Sequence, residues 1–127
     1  MPRFVVLRHD PPPDTTLRTL HWDLMLETDG GLATWSLPSE PVMGSALSAK
    51  VLKEHRLDFL DFEGPLQGNR GHVSRYDRGL YEAHREDSNR LVVRLRGQQF
   101  DGLATIQKRR ATTTSDCVEI RFDPPPG

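Results

Sequence analysis

Along residues 21 to 27 the sequence HWDLMLE sets Trp22, Leu24 and Leu26 in strict alternation with His21, Asp23, Met25 and Glu27. Successive side chains of a strand point to opposite faces, so the first three share a packed face and the other four a second face. The alternation meets TDGG, a turn signal, before LATWSLP resumes it, and residues 20 to 37 therefore read as a β-hairpin. Upstream, RFVVLRH at 3 to 9 is a Val- and Phe-rich strand that stops at DPPPD, where the prolines cannot donate to a ladder. GSALSAKVLKEH, residues 44 to 55, spaces Ala46, Leu47, Ala49, Val51 and Leu52 at near-helical intervals after small polar residues and predicts one short helix. Beyond EGPLQGNRG, the segments HVSRYD, GLYEA, RLVVRLRG, LATIQKR and CVEIRF are short and bounded by Gly, Asp or Asn, which makes a run of strands. Many strands with one helix predict a mainly β fold, a compact β-barrel or closed sandwich.

A chain of 127 residues suffices for one core and not for two. Residues 1 to 123 are expected to form that single domain, and PPPG at 124 to 127 a flexible tail. Ten Gly, ten Pro and only 35% hydrophobic residues suit a turn-rich β domain better than a helical bundle. With 17 basic and 18 acidic residues the net charge is −1, so no global field draws the chain to nucleic acid or an anionic membrane. A site for phosphate must be a local patch. Cys117 is the sole cysteine, which excludes an intrachain disulfide framework and a cysteine-based zinc site and fits a reducing compartment. No segment approaches the roughly 20 apolar residues of a membrane span, so a soluble, cytoplasmic protein with no membrane partner is expected.

His9 closes the first strand, and a neighbouring strand carrying His21 and Asp23 brings two imidazoles and a carboxylate together. Neutral imidazole nitrogen with carboxylate oxygen suits Mn²⁺, Zn²⁺ or Fe²⁺ and leaves positions open for water or substrate. Spacing alone does not separate this from an ordinary solvated His-x-Asp face.

The motifs FVVLRHD, LHWDLMLETDGGLATWSLPSEP, EHRLDFLDFEG and YDRGLYE follow one another in the order and approximate spacing of a known family. Over most of its length the chain resembles the 3′-phosphoesterase module of bacterial DNA ligase D, and VVRLRGQQFDGLATIQKRR is similar to that module's closing segment. The resemblance implies a β-barrel whose Mn²⁺-dependent site trims 3′-terminal ribonucleotides or 3′-phosphates from primer–template ends during break repair. It implies metal ligation by His9, His21 and Asp23, and a catalytic His55 lying against the phosphate. Glu27 then either holds a ligand imidazole from behind or is a charge on the barrel rim. Asp61 and Glu63 are expected to shape a turn, and Trp22 and Trp35 to pack in the core.

Departures from the family pattern bear on the phosphate. Met25 stands where the family has an Arg, Phe59 where it has a Tyr, and Ser39 where it has a Lys, so three donors to phosphoryl oxygens are absent. The interval between His9 and His21 is also lengthened, to the eleven residues DPPPDTTLRTL, in a 10–20 loop able to reshape the mouth of the site. Arg8, Arg18, Lys53 and Arg56 are candidates to restore the lost charge, and the sequence does not choose among them. The expected partners are DNA or RNA-terminated primer ends, with ligase or polymerase functions on separate chains. The functional expectation is a metal-dependent phosphoesterase, a hydrolase with altered or weakened activity. Its alternative is a non-catalytic binding or protein-interaction barrel.

Overall fold

Arg3–Asp10 (β1) and His21–Glu27 (β2) pair antiparallel, and β2 turns through Thr28 and Gly31 into Leu32–Leu37 (β3). The turn is tied by the Thr28 amide and hydroxyl, both donating to the Gly31 carbonyl, at 2.8 and 3.0 Å. The expected hairpin is thus present. The remaining elements are Ala46–His55 (β4), a single 3₁₀ turn at Leu57–Leu60, Gly64–Pro65 (β5), His72–Glu86 (β6), Arg90–Gly97 (β7), Asp101–Lys108 (β8) and Cys117–Asp123 (β9). This computed structural model describes residues 2–13, 19–108 and 117–125. Residues 14–18 of the 10–20 loop, Arg18 among them, and residues 126–127 of the tail lie outside the described residues.

The sheet runs β1-β2-β3-β4-β9-β8-β7-β6, and a further antiparallel pairing of β1 with β6 closes it into an eight-stranded barrel. The two-residue β5 lies on the start of β6. Closure leaves β1 and β6 with a partner on each side, so their backbone groups find ladder bonds without solvent. The short helix expected within 44 to 55 is absent: those residues form β4, which pairs with β3 and β9. Leu47 and Ala49 of β4 pack at the barrel core while Ser48 and Lys50 alternate with them. Among the described residues no helix is long and apolar enough to cross a membrane.

Phe4, Val6, Leu24, Leu26, Val93 and Ile120 belong to the main core, with Trp22 and Trp35 packed against it. The alternate residues of β1 and β2 are buried as well. Val5, Leu7 and Met25 join Leu32, Leu60 and Val73 in a second cluster, flanked by Phe59, Phe62 and Leu66. The segment after β4 therefore lies over the outside of the β1–β2 wall, and its acids pin it there. Asp61 accepts Arg3 at 2.7 Å, and Glu63 accepts the Arg75 amide at 2.7 Å.

One structural centre carries no mark in the sequence. Asp77 on β6 is 2% exposed and accepts four amides, those of Arg78, Gln98 and Gln99 at Oδ1 and that of Phe100 at Oδ2, at 2.8–3.0 Å. It holds the β7–β8 turn closed. A Cβ on Gly97 would meet Asp77 Oδ2 at 2.2 Å, so the turn needs glycine for the carboxylate to approach.

Next to it, burial and the Glu40 carboxylate push the Tyr76 phenol up to about 12. The fold thus keeps a proton that the unfolded chain surrenders near pH 10, and stability falls as pH rises from there to about 12. Tyr76→Phe is expected to flatten this alkaline decline in urea titrations. An unchanged slope would show that another group causes it.

Candidate metal centre

The β1–β2 register sets His9 opposite His21 and Leu7 opposite Asp23. The two imidazole centroids lie 4.5 Å apart, and the Asp23 carboxylate sits 3.9 Å from His9 Nδ1 and 3.5 Å from His21 Nε2. One ligand atom from each of the three residues falls within 4.8 Å of the others. The pairing of consecutive antiparallel strands thus brings together all three residues expected to bind metal.

Backbone carbonyls orient both rings. His9 Nε2 donates to the Arg70 carbonyl at 3.0 Å, and His21 Nδ1 donates to the Thr19 carbonyl at 3.1 Å. A carbonyl only accepts, so each neutral ring carries its proton on that nitrogen and its lone pair on the nitrogen facing Asp23. Such anchoring of the remote nitrogen is how metal-ligating histidines are held. Asp23 is 4% exposed. Burial pushes its carboxyl up, but hydrogen bonding and charge from His21 and His9, exerted when those rings are protonated, outweigh burial and hold it below the ordinary value. Its Oδ1 is buried with no hydrogen-bond partner. An orphaned carboxylate oxygen beside two oriented imidazoles fits a divalent cation of the Mn²⁺ or Zn²⁺ type.

A cavity of about 360 Å³ opens beside Asp23, lined by His9, Met25, His55 and Phe59 among others. His55 stands at the end of β4, where its Nδ1 donates to the Lys53 carbonyl at 3.0 Å. Phe59 from the 3₁₀ turn packs edge-on to the His55 ring at 5.6 Å. Met25, 1% exposed, forms part of the apolar floor. Ser39 is exposed in the loop after β3 and does not line the cavity. Glu27 ends β2 far from the histidines: its carboxylate accepts the Arg3 amide at 2.8 Å, and Tyr81 donates to its carbonyl at 2.6 Å. Of its two expected placements, the structure gives it one at the barrel rim.

The sequence reading did not single out Arg70, whose carbonyl orients His9. The available signal was the glycine beside it. Gly71 has φ +103°, and a Cβ there would meet the Asp10 carbonyl oxygen at 2.1 Å, so only glycine lets this loop lie against β1.

The family model described as the DNA Ligase D 3′-phosphoesterase domain matches residues 14–108, which contain His21, Asp23 and His55 and begin after His9. Over 84 residues the chain is 37% identical to the multifunctional non-homologous end joining protein LigD of Pseudomonas aeruginosa. That alignment covers 62% of this chain and 9% of the relative, so the chain corresponds to a small part of it.

Proposed function

The chain belongs to the DNA ligase D 3′-phosphoesterase domain family, and from that premise we propose that it hydrolyses phosphate esters at nucleic-acid 3′ ends in DNA repair, with Mn²⁺ held by His9, His21 and Asp23. The observation that carries this reading is the convergence of those three residues, each imidazole anchored on its remote side. The same donor set also accepts Zn²⁺. A divalent ion bound there supplies Lewis-acid charge at a phosphoryl oxygen.

The protein's own groups do the rest. Asp23 supplies a buried carboxylate to the cluster, and the Arg70 and Thr19 carbonyls keep the two ring lone pairs turned inward. His55, its Nδ1 anchored on the Lys53 carbonyl, leaves Nε2 for the substrate, and as the imidazolium it hands the Nε2 proton to the departing 3′ oxygen. Leu7 and Met25 keep the floor dry, which strengthens every charge interaction above it. Neither Met25 nor Phe59 offers a donor to the phosphoryl group, and this supports a weak activity. The proposed setting is cytoplasmic, on DNA or RNA-terminated primer ends.

The test is incubation of the purified protein with primer–templates ending in a 3′-phosphate or a 3′-ribonucleotide, with Mn²⁺ and with chelator. Slow release that requires Mn²⁺ is expected. If the protein binds Mn²⁺ and releases nothing, the apolar Met25 and Phe59 positions favour the alternative, a non-catalytic binding barrel.

A further inference from the structure

We propose that Lys53 and Arg56, with Arg70 across the cavity, form its phosphoryl clamp and make it prefer terminal phosphomonoesters to phosphodiesters. The assignment of a phosphate to this cavity rests on the reading above. All three cations border the cavity that contains His9, Asp23 and His55.

Their arrangement follows from the backbone. The β3–β4 ladder shifts register between Leu32 and Thr34: Leu52 pairs with Thr34 and His55 with Leu32, so Lys53 and Glu54 stand opposite a single residue. Such a bulge breaks alternation and re-aims side chains. Lys53, Glu54 and His55, the last residues of β4, and Arg56 just beyond it all border one cavity. The Arg70 guanidinium is positioned from the other side, its Nε donating to the Gln67 carbonyl at 2.7 Å.

Among the described residues, neither Lys53 nor Arg56 has an ion-pair partner. Among the described residues the lining holds two carboxylates, Asp23, which faces the histidines, and Glu54, whose side chain lies against Gly31. Three cations around one cavity repel one another until an anion joins them. A phosphomonoester carries nearly two negative charges at neutral pH and presents three strongly accepting oxygens. A diester carries one charge and two such oxygens. An ammonium and two guanidinium groups offer more donors than two oxygens can use, and the third oxygen of a monoester completes the set.

The test measures binding of inorganic phosphate and of dimethyl phosphate to the full chain by calorimetry, with and without Mn²⁺. The native protein is expected to bind inorganic phosphate at least about tenfold more tightly than dimethyl phosphate. Lys53→Ala and Arg56→Ala should each lower phosphate affinity by about tenfold, leave Mn²⁺ affinity unchanged and narrow the preference. Lys53→Arg and Arg56→Lys, which keep the charge, should retain most of it. Undiminished phosphate binding by the folded double-alanine variant would overturn the clamp. Because the arm without Mn²⁺ reads the cations alone, failure of the native protein to bind metal would remove the metal reading and leave the clamp measurable.

Discussion

Asp23→Ala is expected to abolish Mn²⁺ binding and, with it, release of phosphate from 3′-phosphate ends. Among the described residues Asp23 is the only carboxylate in the cluster, and its loss leaves two neutral imidazoles there to face a divalent ion. Removing a partner that merely orients a ligand costs roughly 10–100-fold in metal affinity or activity; removing the ligand itself should exceed that. A ligand present at a hundred times its dissociation constant stabilises a fold by about 2.7 kcal/mol, so the native protein should show a Mn²⁺-dependent rise in thermal midpoint and the variant none. Without metal the cost is smaller. The Asp23 carboxylate is still held below its ordinary pKa by the two histidines, so replacing it should cost some stability near neutral pH, though less than in the Mn²⁺-loaded protein. Paired melting curves with and without Mn²⁺ check both halves. A variant that still gains stability from Mn²⁺ would move the site elsewhere.

Asp77→Ala is expected to produce the largest loss of stability of any single substitution considered. It strands four amides that the carboxylate now satisfies, in a turn tight enough to exclude a Cβ at Gly97. Each buried group left unpaired costs about 1–3 kcal/mol. Hydration of the loosened loop recovers part of this, so a net loss of about 3–5 kcal/mol is expected, a drop in midpoint on the order of 10–20 °C. Asp77→Asn keeps the shape but replaces one accepting oxygen with a donor, and should fall between the native protein and the alanine variant. Chemical denaturation measures the series. An alanine variant within about 1 kcal/mol of native would mean that water serves the turn as well as the carboxylate does.

The grouping of His9, His21 and Asp23 was legible in the sequence because consecutive strands pair antiparallel and the polar members of HWDLMLE broke an otherwise apolar run, while its reading as a metal site came from the order of motifs shared with the family. Met25 shows the limit of that pattern. It shares a face with His21 and Asp23, yet it is as buried as Leu24, because the segment around Leu60 covers the outside of the wall. No local signal announces a cover supplied from more than thirty positions away. In β4, Ala, Leu, Lys and Glu are helix formers, but their preferences amount to tenths of a kcal/mol per residue. Ladder bonds to β3 and β9 outweigh them, and they exist only once the ring is assembled. Long-range roles stayed hidden for the same reason. Arg70 meets His9 across 61 positions, and Asp77 caps amides more than twenty positions further on.

The double burial of the β1–β2 wall separates two kinds of inheritance. His9, His21 and Asp23 ride on strands whose geometry is set by the barrel core through Phe4, Val6, Leu24 and Leu26. Phe59, Leu66 and the cations beside them belong to the bulge and covering segment, which meet those strands through a different set of side chains. Substitutions in the cover can reshape what the cavity admits without moving the three ligands, whereas substitutions in the barrel core shift the ligands themselves. A lineage built on this wall can therefore exchange one cavity ligand for another while the His9–His21–Asp23 cluster stands still.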